Sequence, residues 1–231
     1  MDTGGTSADC LFCRATRSIP NDLQWHDRPI TRVPGVGGVI PGLGAFVPGY
    51  VLVFPEQHVE STLRIRGQAG PAFGDLLNRT IQSVTEVFGP VTVFEHGSCP
   101  QRNQRRSACI DHAHTHIMPG VYGLSSFMPK PSGQPADRME QTLNADVGYL
   151  LLHEPPYGPQ YRPDPGVSQY MRRCIAVKLG IPDEWDYLLF PRLENVTETA
   201  RALAGRFVRY RSPSGTLRND YVRVFYRTEA P

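Results

Sequence analysis

His112-Ala113-His114-Thr115-His116-Ile117-Met118 is the stretch that decides the fold and the chemistry of this chain. Along an extended strand, residues two apart share a face. The three imidazoles therefore line up on one side, with Ala113, Thr115 and Ile117 on the other, where small and apolar groups pack. The chain holds only seven histidines. Placing three of them on one strand face gains nothing in a plain core, where histidine is uncommon. A neutral imidazole is a competent nucleophile near neutral pH, and its phosphorus adduct is reactive toward water or an alcohol. Neighbouring imidazoles can orient it and donate hydrogen bonds to phosphoryl oxygens. His-x-His is also a metal-ligand spacing. Phosphate chemistry and metal binding both stand as readings of the run, beside a bland surface cluster.

The segments around the run give the fold class. Tyr50 to Pro55 is β-branched and aromatic, a strand closed by Pro55. Pro71 to Phe88 carries Phe73, Leu76, Leu77, Ile81, Val84 and Phe88 at helical spacing, with Gly89-Pro90 as a stop. Strands are expected at Val39-Ile40, Ala45 to Val47, Val91 to Glu95 and Cys109 to Met118. Gly97 to Ser107 is a polar, basic loop. Downstream, residues 122–146 are loop-rich, a strand covers 147–152, and 157–165 is Pro-rich. Helices follow at 167–179 and 194–209, then a strand at 221–226. The pattern predicts an α+β fold, an antiparallel sheet with packed helices. Its parts are a flexible tail over residues 1–9, a core over 10–120, and an α/β extension over 121–231 packed on that core.

Composition narrows the function classes. At 231 residues and 40% hydrophobic, the chain can bury a sizeable core. A net charge of +2 argues against a general nucleic-acid coat. No apolar run approaches the roughly 18 residues of a membrane span. Met1 to Asp9 lacks the apolar centre of a secretory signal, so a cytoplasmic location is expected. The five cysteines are odd in number. In a reducing compartment, Cys10-x-x-Cys13 then reads as a metal site or free thiols. The pair supplies half of a structural zinc site, and the other ligands must be histidines or further cysteines.

The histidine run matches the His-φ-His-φ-His-φ-φ signature of the histidine triad (HIT) family, with Thr115 the one imperfect φ position. Further features stand in the same order as in that family. Pro48-Gly49-Tyr50-Val51-Leu52-Val53-Phe54-Pro55-Glu56-Gln57-His58 resembles its upstream strand, Pro-x-His-x-Leu-Val-x-Pro-Lys-x-His. Cys10-x-x-Cys13 resembles the N-terminal pair of its zinc-bearing members, and the helix at 71–88 falls where the family has its long helix. The resemblance covers about residues 10–120. It implies a nucleotide or nucleotide-conjugate substrate, cleaved at an α-phosphorus by a hydrolase or nucleotidyltransferase. His114 would be the nucleophile and His116 a phosphate contact. A structural zinc would sit on Cys10, Cys13, His58 and His112. Family members are often homodimers.

The chain departs from the family pattern at Tyr50, usually histidine, at Glu56, usually lysine, and over Ser107 to Asp111. Arg102, Arg105, Arg106 and Ser107 are the alternative candidates for holding phosphate. Glu95 or His96, at a strand end, is a further candidate substrate contact, and Asp111 a candidate orienting group. Arg172 and Arg173 begin a helix, where they either reach a phosphate or lie on a solvated face. Trp185 and Tyr187 read as core or interface residues. Two rival functions remain beside the triad chemistry. One is a metal-dependent hydrolase with His112, His114 and His116 as catalytic ligands. The other is a non-catalytic, zinc-stabilised nucleotide-binding module.

Overall fold

The computed structural model describes residues 10–17, 23–97, 112–130 and 148–207. The expectations for the tail at 1–9, for Arg102, Arg105, Arg106, Ser107, Cys109 and Asp111, and for a strand at 221–226 lie outside the described residues. The fold is α+β. Seven antiparallel strands form one sheet: β1 (Thr31–Val33), β2 (Gly37–Pro41), β3 (Val51–Pro55), β4 (Val91–Gly97), β5 (Thr115–Pro119), β6 (Tyr149–His153) and β7 (Gln160–Pro163). Their spatial order is β1-β2-β3-β5-β4-β6-β7. Among the described residues four α-helices accompany them: α1 (Leu11–Thr16), α2 (Ala69–Phe88), α3 (Tyr170–Lys178) and α4 (Leu193–Leu203). None of the helices described is long and apolar enough to cross a membrane.

Helix α2 forms where its apolar period predicts. Phe73, Leu76, Leu77, Ile81 and Val84 are buried along one stripe, each contributing about 2 kcal/mol by leaving water. Pro71 sits in the first turn, where its missing N–H costs nothing, and Gly89 ends the helix at φ 89°. The stripe packs on Val51, Val53, Val93, Ile117 and Leu151 from one face of the sheet. Phe94, Met118, Leu150 and Leu152 face the opposite way, toward Met171, Cys174 and Ile175 of α3. The sheet is thus covered on both faces, the second by α1 at its β2–β3 end and by residues after 120 over β4, β5 and β6.

Four expectations are corrected. The histidine strand begins at Thr115, so His112, at a bend, and His114 precede the ladder. β3 and β5 pair from Val51↔Ile117 to Val53↔Thr115, because beyond that the chain bends away and Ala113 N–H donates to the Val59 carbonyl instead. Ala45 to Val47 is irregular, with bends at Phe46 and Val47, and not a strand. The Pro-rich segment contains a strand, β7, because Gln160 to Pro163 pairs along β6. Arg172 is buried and not on a solvated face.

The part after residue 120 is joined by more than strand pairing. Glu154 is buried at the end of β6. Its carboxylate accepts the backbone N–H groups of Tyr122, Gly123 (3.0 Å) and Leu124 (2.7 Å), together with the Thr92 hydroxyl (3.0 Å). These are charge-assisted bonds with no water to replace them. Glu154→Ala should destabilise the protein by about 3 kcal/mol in denaturant unfolding. An unchanged unfolding midpoint would mean that the turn at 122–124 finds other partners.

Candidate functional site

The three imidazoles divide between two sites. His112 donates from Nε2–H to the Pro55 carbonyl at 2.8 Å. A carbonyl can only accept, so the Nδ1 lone pair is left free. It faces the Cys10 Sγ at 3.4 Å and the Cys13 Sγ at 3.5 Å. His58 Nδ1 lies 3.2 Å from the Cys13 Sγ. The ligand atoms of Cys10, Cys13, His58 and His112 all lie within 4.8 Å of one another and can hold a metal ion. Helix α1 brings the two sulfurs there. Phe12, fully buried between them in sequence, stacks on Phe54 at 4.6 Å and meets the His112 ring edge-on. Burial and the adjacent Cys10 push the Cys13 thiol up to about 12 in the absence of an ion.

His114 and His116 turn instead into a cavity of about 350 Å³, a size that suits a small organic ligand. His114 donates from Nδ1–H to the carbonyl of His112 at 2.9 Å. That bond fixes the tautomer and leaves the Nε2 lone pair unengaged. His116 lies parallel to Phe94, with ring centroids 4.4 Å apart, and to Tyr50 at 5.9 Å. Its Nδ1 is 2.6 Å from the Tyr50 hydroxyl. Burial raises the Tyr50 pKa, so the phenol stays protonated and donates. The remaining His116 nitrogen, Nε2, then carries the proton. Burial lowers the His114 pKa to about 4. It also holds His116 well below the ordinary imidazole value, with His114 and Arg172 adding to the effect. Both rings are neutral at pH 7.

Other cavity residues come from distant parts of the chain. His96 lines it, held by Asp164 with Nε2 and Oδ1 2.8 Å apart. Glu95 does not. It points to the other face of β4, where it accepts from the Thr62 N–H at 2.9 Å and the Tyr149 hydroxyl at 2.8 Å. Of that pair of candidates, His96 is the one on the site. Tyr187 lines the cavity too, while the Trp185 ring carries the Arg173 guanidinium 3.3 Å from its centroid. Neither is a plain core residue.

Arg172 lines the same cavity. Its Nε donates to the Trp185 carbonyl at 3.0 Å and its Nη2 to the Gly44 carbonyl at 2.9 Å. Gly44 has φ 69°, and a side chain there would collide with Tyr187 and with the guanidinium itself. Sequence reasoning missed Tyr50 as the partner of His116 and Asp164 as the partner of His96. The departure from the expected histidine at Tyr50 was the available signal for the first. Asp164 gave none, since it meets His96 only through the pairing of β6 with β4 and β7.

No family model and no curated protein matches this chain. Among solved structures, a hypothetical protein from Leishmania major is similar to it at 19% identity, over 49% of this chain and 74% of that one, with a TM-score of 0.39.

Proposed function

We propose that this chain is a phosphohydrolase or nucleotidyltransferase of the histidine triad type, with His114 as its nucleophile and a structural zinc at its N-terminal side. The observation that carries it is the hydrogen bond from His114 Nδ1–H to the His112 carbonyl, which presents an unprotonated Nε2 to the cavity. In the first step Nε2 bonds to the α-phosphorus of a nucleotide conjugate. The bond from phosphorus to the leaving group breaks, and the leaving group takes the electron pair. In the second, water or another acceptor bonds to phosphorus and releases its proton to solvent, the P–N bond breaks, and the pair returns to Nε2. His116 Nε2–H donates to a phosphoryl oxygen in both steps.

Zinc fits the four ligands. Zinc–sulfur bonds of about 2.3 Å and zinc–nitrogen bonds of about 2.0 Å, at tetrahedral angles, put sulfur and nitrogen about 3.5 Å apart. Three of the four sulfur–nitrogen separations here are 3.2, 3.4 and 3.5 Å, and all four ligand atoms lie within 4.8 Å of one another. The bond from His112 Nε2–H to a backbone carbonyl is the outer-shell arrangement that orients a metal-bound imidazole. When bound, the ion would tie α1 to the catalytic segment. This supports a structural ion over one shared by all three imidazoles, because His112 turns toward the thiols and away from the cavity.

The test is incubation with nucleoside conjugates labelled at the α-phosphorus, followed by quenching and digestion. A labelled peptide containing His114 is expected. Turnover with no labelled enzyme at any time would refute the covalent route. Tyr50→Phe should lower kcat by about 10–100-fold with KM nearly unchanged, because His116 loses the partner that fixes its tautomer. Wild-type kcat in that variant would show that the hydroxyl is idle.

A further inference from the structure

Arg172 is only 5% exposed, yet it is a full positive charge. Its guanidinium sits 4.6 Å from the centroid of Phe46, 5.8 Å from Tyr50 and 6.0 Å from Tyr187. Carbonyls take Nε and Nη2, but Nη1 is buried with no hydrogen-bond partner, and no carboxylate pairs with the group among the described residues. A buried charge left in this state is costly unless something anionic joins it.

A second feature points to the same spot. Gln169, Tyr170, Met171 and Arg172 all line the cavity, so the first turn of α3 opens onto it. Gln169, the N-cap, is in the left-handed conformation at φ 54° and makes no side-chain cap bond. A helix N-terminus carries unsatisfied N–H groups and the positive end of the helix dipole, which together favour an anion.

We propose that the first turn of α3 and the Arg172 guanidinium form an oxyanion subsite beside the histidines. It takes a phosphate group of the ligand other than the one that His114 attacks. Nη1, the guanidinium nitrogen left without a partner, can donate to a phosphate oxygen, and the aromatic walls strengthen the bond by excluding water. The assignment of that phosphate to the leaving half of the substrate rests on the proposed His114 chemistry. The subsite itself does not. In that chemistry the leaving phosphate gains negative charge as it takes the electron pair from the α-phosphorus, and Arg172 offsets it. The preferred substrates are then nucleoside conjugates whose leaving group carries its own phosphate.

Inorganic pyrophosphate is the probe. Calorimetric titration should show binding to the wild type and equal binding to His114→Asn. Binding to Arg172→Met should be weaker by about tenfold or more, with Arg172→Lys in between. Arg172 also holds two backbone carbonyls, so Arg172→Met is exposed to misfolding. A titration of the wild type followed by NMR is independent of any variant. There the backbone amides of Tyr170 to Arg172 and the Arg172 side-chain N–H should shift together and saturate. Absence of pyrophosphate binding at millimolar concentration, or shifts of His116 with the α3 amides unmoved, would overturn the subsite. Intact pyrophosphate binding without any His114 adduct would overturn the nucleophile and leave the subsite standing. For the leaving group, Arg172→Lys should lower kcat/KM about tenfold for a diphosphate conjugate but little for a phosphoramidate with a neutral amine. An equal fall for both would overturn that assignment.

Discussion

Stripping bound metal with a strong chelator should lower the melting temperature of this protein by about 10 °C or more. Cys13→Ala should do the same. A structural zinc in a small finger supplies about 10 kcal/mol or more of folding free energy. Here the sheet and α2 supply a core of their own, so a loss of about 4 kcal/mol is the better expectation, and each kcal/mol moves the midpoint of a chain this size by roughly 2–4 °C. The loss would concentrate at one end of the molecule. Cys10, Cys13, His58 and His112 come from three separate stretches, which the ion would hold in register. Metal analysis and calorimetry with and without chelator are the measurements. Purified protein with no bound metal and a chelator-insensitive midpoint would remove zinc from the account.

His114→Asn should lower kcat by about four orders of magnitude with little change in melting temperature. Asparagine can still donate a hydrogen bond toward the His112 carbonyl, so the local backbone keeps its partner. It lacks the lone pair that the proposed attack on phosphorus uses. The His114 ring makes no other hydrogen bond among the described residues, and its contacts with Phe12 and His116 are van der Waals. A nucleophile deletion is therefore separable from a stability defect. Single-turnover assays on both proteins, with thermal melts as controls, make the comparison. A variant that still acquires the label has its nucleophile elsewhere. The two predictions meet in one residue: the ring of His112 faces the thiols, and its carbonyl fixes the tautomer of His114. Metal loss should therefore depress turnover as well.

Local pattern carried much of this into view. The period of Phe73 to Val84 is a property of the helix alone, so α2 was legible. Tyr50 to Pro55 was legible for the same kind of reason, through β-branched and aromatic content. The four metal-capable side chains followed from the cysteine spacing and the family resemblance together. Alternation put the three imidazoles on one face, but it could not say where the ladder begins. That depends on how far β3 and β4 run beside β5, which is a property of the partners. β7 was hidden because proline content lowers strand propensity, and a strand can still form there when β6 supplies the pairing. Arg172 was hidden for a longer-range reason. The carbonyl that holds its Nη2 lies 128 residues away at Gly44, and nothing in the helix itself tells a buried arginine from a solvated one.

The strand order has a consequence for how the protein can be cut. β4 lies between β5 and β6, with pairs from Val93↔His153 to Gly97↔Tyr149 on its outer side. A fragment ending near residue 120 would lose those partners and keep the strand. Its N–H and C=O groups would form an open edge, with Phe94 stripped of Leu150, Leu152 and α3. Open apolar edges recruit other chains. The histidine core and the segment after it are therefore one solubility unit, and trimming to the core would give a self-associating sheet in place of a smaller folded domain.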